Sequence, residues 1–376
     1  MPTELPPPGA PDVFYVVDLS GYVYRAYHAL PPMMTSYGEP THAVYGVTQM
    51  LLYLVKMQQP TYFAVALDPA EGMGFRKELF PAYKEGRSEK PEDLQPQIGR
   101  LTEVIEAYGI PVLRDDRVEA DDLIATVAAQ AHADGLKVVV VSADKDLLQL
   151  VREDLAVIVY DSMKEKVYGP PETEAKLGVP PRKVREYLAL TGDSSDNIPG
   201  IKGVGPKTAV KLLRDKETLE DVYADVESIK GKLKDKVADA RDEAFLSRRL
   251  VTLKDDCEVT WDRDSYRYGG LDEDRLRDLF TRLELHKLLT QLGEKEVEAP
   301  AIDRVADEAA LAELVEAAKA RGTWRCSRRG AGPVPSTTTR WAWPSPSRSG
   351  AATTSPSPTG ASTRAHSSPS TGWWRP

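Results

Sequence analysis

Five times before Gly200 the chain sets carboxylates at the end of an apolar run or at the start of a helical pattern. They are Asp18; Asp68; the group Glu119, Asp121 and Asp122; the pair Asp144 and Asp146; and the pair Asp193 and Asp196. The runs themselves alternate in type. Residues 14–17, 62–67, 138–141 and 156–160 are short and β-rich, whereas 43–57, 97–108 and 121–132 repeat apolar residues at helical spacing, the pattern of βαβ units. An α/β sheet brings the carboxyl ends of its parallel strands to one rim, where residues far apart in sequence converge. Two carboxylates about 4 Å apart repel by roughly 4 kcal/mol at an effective dielectric of 20, so a rim crowded with acids requires cations between them. Hard oxygen donors select Mg²⁺ or Mn²⁺ over zinc.

Taken singly, each acid has a plainer explanation. A strand-end Asp caps the next helix, and Glu119, Asp121 and Asp122 at a helix start complement its dipole. Glu119 and Asp122, three apart, share a helix face with Asp121 beside them. Capping does not predict all five groups in one chain, and their joint occurrence points to a metal site.

The formal net charge of -9 argues against a polyanionic partner. The nine carboxylates above match that figure by themselves, so bound cations would leave the remaining surface near balance. Cys257 and Cys326 are the only cysteines, which suits a reducing compartment and excludes a zinc finger or disulfide scaffold. The first residues carry neither a basic nor an apolar signal segment and no run approaches a membrane span, so a cytoplasmic protein without a membrane partner is expected. No Ser/His pair, nucleophilic Cys or phosphate-binding loop competes with the acids, and His28, His42, His132 and His286 are scattered. Two cations roughly 4 Å apart would activate water and stabilise a leaving oxygen in phosphoryl-group hydrolysis.

Two further stretches carry chemistry. In NIPGIKGVGPKTAVKLL, Gly200, Gly203 and Gly205 allow a tight turn into a helix bearing Lys207 and Lys211, with Lys202 in the turn itself. Exposed N–H groups beside lysines seat a phosphate, and the reading is a sequence-independent DNA-backbone clamp; the alternative is a packing turn between helices. After Asp68, a charged stretch punctuated by Gly and Pro interleaves Arg76, Lys77, Lys84, Arg87 and Lys90 with Phe75, Phe80 and Tyr83. Cations among aromatics suit single-stranded nucleic acid, although Glu78, Glu85 and Glu89 keep a solvated loop in play.

From about residue 180 to 292 the chain reads as helical, and another amphipathic helix is predicted over 308–320. Beyond Thr323 the composition changes: seven arginines, no Lys, Asp or Glu, Val334 as the one branched aliphatic, and five of the six tryptophans. Such a segment cannot offset its folding entropy by apolar burial and is expected to be disordered. It reads either as a basic arm or as an out-of-frame tail.

The stretches VVDLSGYVYRAYHAL, FRKELFPAYKEGR, VEADDLIAT, SADKDLLQLV, LTGDSSDNIPGIKGVGPKTA and SRRLVTLKDDCEV resemble the 5′ nuclease domain found at the N-terminus of bacterial DNA polymerase I, in the flap endonuclease superfamily. The likeness runs over residues 12–292. It implies a PIN-like α/β fold: a central, mainly parallel sheet flanked by helices, an arch at 70–96 over the active site, and a helix–hairpin–helix-type helical subdomain. The implied division is a disordered start at 1–11, a nuclease core at 12–178, a helical DNA-binding subdomain at 179–295 with its turn at 198–214, a linker and the beginning of a proofreading-exonuclease-like domain at 296–322, and the tail.

By position, the resemblance makes Asp18, Asp68 and Glu119 ligands of a first Mg²⁺ or Mn²⁺, with Asp121 and Asp144 between two such ions. Asp146, Asp193 and Asp196 fall to the second, supported by Asp122. Lys84, Arg87 and Tyr83 are the implied arch residues at the scissile phosphate. Tyr24, Arg25, Arg76, Lys77, Lys202, Gly203, Gly205, Lys207 and Lys211 are the implied DNA contacts, with K⁺ at the glycine turn. The implied activity is 5′→3′ exonuclease and flap endonuclease on DNA with 5′ flaps, nicks or RNA primers in replication and repair, by a monomer associated with the nucleoid. Rival readings are a DNA-binding module without catalysis and a truncated gene product.

Overall fold

The computed structural model describes residues 2–69, 74–86 and 91–293, with short pieces at 308–309, 312–313, 315–316, 323–326 and 339–342. Its centre is a six-stranded sheet built from β1 (Val13–Asp18), β2 (Tyr62–Ala66), β3 (Val112–Leu113), β4 (Lys137–Val141), β5 (Val157–Asp161) and β6 (Lys166–Tyr168), in the order β3-β2-β1-β4-β5-β6. All pairings are parallel except β5 with β6. Because β1 is flanked by β2 on one side and β4 on the other, the order reverses beside it, and the crevice at such a reversal is where open α/β sheets bind ligands.

Every residue of β1 and β2 is buried, and alternate side chains feed two cores. Phe14, Val16, Ala64, Val138 and Val140 face one core, together with α5 (Ala120–Ala133). Val13, Tyr15, Val17, Phe63, Val65, Val139 and Val141 face the other, closed by α1 (Leu19–Ala29), α2 (His42–Gln58) and α4 (Leu94–Ala107). Between α2 and α4 lies the short α3 (Phe75–Leu79). After β6 come α6 (Pro170–Leu177), α7 (Val184–Thr191), α8 (Pro206–Leu212), α9 (Leu219–Ala224), α10 (Lys232–Asp239) and α11 (Arg241–Val251), whose apolar residues join the α5 core. The chain then crosses back: α12 (Glu273–Arg282) and α13 (His286–Gln291) add Leu276, Phe280 and Leu288 to the opposite core.

One expectation is corrected. Residues 2–11 are held rather than free: the Thr3 N–H donates to Glu172 at 2.9 Å, the Gly9 N–H to the Gln58 carbonyl at 3.0 Å, and Thr61 Oγ1 to the Ala10 carbonyl at 3.0 Å. Leu5 and Ala10 pack against the α2 side of the sheet, which is the burial a proline-rich start lacks on its own. Of the tail after 322, only β7 (Thr323–Cys326) and β8 (Thr339–Ala342) are described, and they pair antiparallel; the rest of the segment expected to be disordered lies outside the described residues. The helix predicted at 308–320 falls mostly outside the described residues, as does Arg87.

Candidate functional site

The strand ends deliver the acids to one place. Asp18 is both the last residue of β1 and the N-cap of α1: its Oδ1 accepts from the Gly21 N–H at 3.0 Å, and its Oδ2 from Ser142 Oγ, beyond β4, at 2.9 Å. Asp68 lies past the end of β2. Its N–H is held by Ser20 Oγ at 2.8 Å, and its Oδ1 accepts from the Ala120 N–H at 3.0 Å, tying it to the start of α5. Glu119 is the N-cap residue of α5. Asp144 is fixed through its N–H to Ser142 Oγ at 3.0 Å, and its Oδ1 accepts from the Asp146 N–H at 3.0 Å. Capping and site formation are therefore the same geometry here, with the α1 cap itself a wall of the site.

A cavity of about 790 Å³ opens on this rim, and seven of the nine acids line it: Asp18, Asp68, Glu119, Asp121, Asp144, Asp146 and Asp196. Their mutual repulsion shows which face one another. The Asp18 carboxyl is pushed up to about 6 by burial and then by Asp68 and Asp144, against the pull of its Gly21 and Ser142 hydrogen bonds. Asp121 is raised well above the ordinary range by desolvation, then by Asp18, Asp144, Asp68 and Glu119. Asp146 rises to about 8 through burial, then through Asp144, with Asp193 and Asp196 adding to it against Lys145. Two overlapping groups result, one of Asp18, Asp68, Glu119 and Asp121, the other of Asp146, Asp193 and Asp196, with Asp144 felt by both.

Divalent cations fit this arrangement. The donors are all hard oxygens, their charges oppose one another, and Asp146 Oδ1 is buried with no hydrogen-bond partner. Among the described residues no three Asp, Glu, His or Cys side chains already stand close enough together to hold a metal ion, so the carboxylates would have to draw in around a cation.

Asp122 and Arg76 depart from expectation. Asp122 is fully buried and absent from the cavity wall, with both oxygens engaged: Oδ2 by Arg76 Nη1 at 2.6 Å, Oδ1 by Arg76 Nη2 at 2.8 Å and by the Lys254 N–H at 2.9 Å. Arg76, 3% exposed, also donates to the Leu250 and Thr252 carbonyls. The bidentate ion pair, out of water, is a structural tie between α3, α5 and the end of α11: it takes up both oxygens of Asp122, which is expected among the metal-site acids, while Arg76, expected at the DNA, lines the cavity and also donates to Glu119 Oε2 at 3.4 Å. Asp193 also lies off the cavity. Its carboxyl sits below the usual range: burial opposes ionisation, but the Lys145 ammonium at 2.8 Å and the Ser195 N–H at 2.7 Å outweigh it.

Tyr83 and Lys84 reach across the two groups. The Tyr83 hydroxyl stands 3.1 Å from both Glu119 Oε2 and Asp196 Oδ2, and Lys84 Nζ lies 2.5 Å from Glu119 Oε1 and 3.8 Å from Asp196 Oδ2. Lys84 adopts φ 57, a left-handed conformation rare for a side-chain-bearing residue, and its N–H is anchored on the Asp196 carbonyl at 2.9 Å. Tyr24 and Arg25, about two helical turns beyond Asp18, line the same cavity, while Lys77 lines an adjoining one of about 570 Å³. Lys202, Lys207 and Lys211 are exposed around the turn in which Gly203 takes φ 86; Gly205 is extended. Sequence reasoning missed Ser20, Ser142 and Lys145. The signal for the last two was the SADKD stretch, in which a hydroxyl and a cation are interleaved with the acids.

Residues 13–178 match the 5′-3′ exonuclease N-terminal resolvase-like domain, and residues 179–274 the 5′-3′ exonuclease C-terminal SAM fold. The 5′-3′ exonuclease of Aquifex aeolicus is 37% identical over 278 residues, covering 74% of this chain and 94% of that protein. The chain belongs to the 5′-3′ exonuclease family. Within that family it is also related to the DNA polymerase I of Caldicellulosiruptor bescii, 35% identical over 286 residues and 75% of this chain. The exonuclease chain spans about a third of the length of that polymerase, 34% of it. Solved structures share its fold: T5 5′-exonuclease, 20% identical with a TM-score of 0.53, covering 75% of this chain and 100% of that one; and human GEN1, 18% identical with a TM-score of 0.51, covering 77% and 76%.

Proposed function

We propose that this exonuclease hydrolyses phosphodiesters with two divalent cations, Mg²⁺ or Mn²⁺, removing nucleotides 5′→3′ and cutting 5′ flaps on DNA and RNA-primed DNA in replication and repair. The observation that carries the reading is the meeting of carboxylates from β1, β2, α5, the β4 end and the loop after α7 on one cavity that also holds Arg25, Tyr83 and Lys84. Structures of the same fold support it: T5 5′-exonuclease has been solved with bound divalent metal ions (zinc), and the catalytic core of Rad2, at a TM-score of 0.50, in complex with DNA substrate.

Asp18, Asp68, Glu119 and Asp121 would hold one ion and Asp146, Asp193 and Asp196 the other, with Asp144 between them and Asp193 released from Lys145. The bound ions would polarise the scissile phosphate, lower the pKa of an attacking water and stabilise the departing oxygen. Lys84 supplies a positive charge beside that phosphate, and Tyr83, its phenol driven up by burial and by Glu119 and Asp196, stays a hydrogen-bond donor at neutral pH. Arg25 and Tyr24 flank the path of the 5′ strand. The glycine turn with Lys202, Lys207 and Lys211 grips duplex phosphates without reading sequence, with K⁺ at the turn. We assign the protein as a monomer of the bacterial cytoplasm acting at the nucleoid; among the described residues no helix is long and apolar enough to cross a membrane.

Incubation of the pure protein with a 5′-labelled flap duplex tests this. Cleavage that needs Mg²⁺, stops in EDTA and is lost in Asp144→Ala supports it; binding without any cut leaves a DNA-binding module instead.

A further inference from the structure

Beyond β5 the sheet carries a basic cluster that the nuclease machinery does not use. Asp161 ends β5 on the same rim as Asp18, and across the β5–β6 ladder it is paired in register with Lys166. Lys166 Nζ lies 5.0 Å from the centre of the Tyr168 ring, and Lys176 Nζ, at the end of α6, lies 4.4 Å from that ring. Lys164, exposed in the β5–β6 turn, pairs with Asp161 at 3.5 Å and completes the group. All three lysines are exposed, whereas Tyr168 is buried at 4% exposure. Its ring therefore serves as a fixed cation–π platform for two ammonium groups and is not available for stacking on a base.

Burial of its stem lowers the Lys176 ammonium below the ordinary lysine range, and Lys164 and Lys166 depress it further against the pull of Asp161 and Asp144. Like charges held together in this way gain from an anion placed between them. The strand order, with β5 two places from β1, and the bond from Ser162 Oγ to Tyr22 Oη at 2.9 Å put the cluster on the acidic rim, next to α1.

We propose that Lys164, Lys166 and Lys176 form a second phosphate grip, holding the backbone of the duplex part of the substrate beside the cavity, separate from the glycine turn at Gly203. Point-charge lysines with no accessible aromatic face recognise backbone phosphates rather than bases, so the ligand is duplex DNA of any sequence. The assignment rests on the nuclease reading.

The test is equilibrium binding of a flap duplex and of a single strand of equal length, in EDTA, from 50 to 300 mM KCl, for the wild type and a Lys164→Ala/Lys166→Ala/Lys176→Ala variant whose thermal unfolding is checked. For the duplex, the slope of log K against log[salt] is expected to shrink by about 1 per lysine, about 3 in all, with single-strand binding unchanged. The Lys→Arg triple variant, which keeps the charges, is expected to keep the slope. An unchanged duplex slope in the alanine variant overturns the grip, as does equal loss on duplex and single strand. If the wild type neither cuts the flap duplex in Mg²⁺ nor binds it there, the nuclease reading itself fails, and the two failures are thereby told apart.

Discussion

Among single residues, the ones that matter most differ in what they do with their charge. Lys84 sits at the cavity, and Lys84→Met is expected to lower cleavage by about 10²–10³-fold while flap-duplex affinity changes little, because the interaction counts where charge builds up in the transition state; single-turnover rates with binding constants check it. Asp122 touches no solvent. Asp122→Ala strands the Arg76 guanidinium in the interior and is expected to destabilise the protein by about 3–5 kcal/mol in urea unfolding. Mg²⁺ affinity unaffected in the part that remains folded separates this role from a ligand's. The positions of the acids were legible because each follows a strand or helix signal. Which way each points was not: Glu119, Asp121 and Asp122 fall within one helical turn, and Arg76 arriving from α3, the Lys254 N–H and the capping box that ties Asp122 to the Glu119 N–H together hold Asp122 in the interior. Arg76 itself reads like its neighbour Lys77 in the sequence, yet one is buried and the other exposed.

At the level of elements, the loop from Gly192 to Gly200 shows how backbone geometry holds the second group of acids. Asp193 and Ile198 exchange backbone hydrogen bonds at 3.0 and 2.7 Å, and a Cβ on Gly200, at φ 57, would come within 2.4 Å of the Gly192 nitrogen. Gly200→Ala is expected to cost more than about 1 kcal/mol of stability and to weaken Mg²⁺ binding, measured by thermal unfolding and calorimetric titration. The rim acids also make stability depend on pH. Asp18 and Asp146 hold protons more tightly in the folded state than in the unfolded chain. Their contribution is therefore complete below about pH 4 and is lost as pH rises through about 6 and about 8 respectively. In EDTA the melting temperature is expected to fall between pH 5 and 8, more gently in Asp146→Asn, and Mg²⁺ is expected to raise it more at pH 8 than at pH 6. A Mg²⁺ effect equal at both pH values would contradict this. Strands and long helices were readable from periodicity. β3, only Val112–Leu113, is too short to show a period, and β6, Lys166–Tyr168, is antiparallel and edge-lying, so it lacks the apolar run that marks its neighbours.

For the molecule as a whole, residues 1–293 cluster as one compact unit in which α12 and α13 return to the sheet after the helical region that begins at α6. That return was not legible, since helices 273–291 read only as a continuation of the helical stretch; the aromatic contact of Phe63 with Tyr268 at 5.8 Å and the bond from the Tyr268 N–H to the Thr61 carbonyl at 2.9 Å fix it. A protein ending at Gly293 is expected to retain flap cleavage within about twofold, whereas one ending at Tyr266 is expected to lose cooperative unfolding, because the core beside α2 and α4 is left open. The proposed activity depends on a single rim whose separate acids would share cations. The most direct test is to count Mn²⁺ bound per chain in the presence of flap DNA, from the loss of the free-ion electron paramagnetic resonance signal, in the wild type, Asp144→Ala and Asp193→Asn. Two ions in the wild type, both weakened by Asp144→Ala and one by Asp193→Asn, are predicted; no bound ion, or binding indifferent to Asp144, would contradict it.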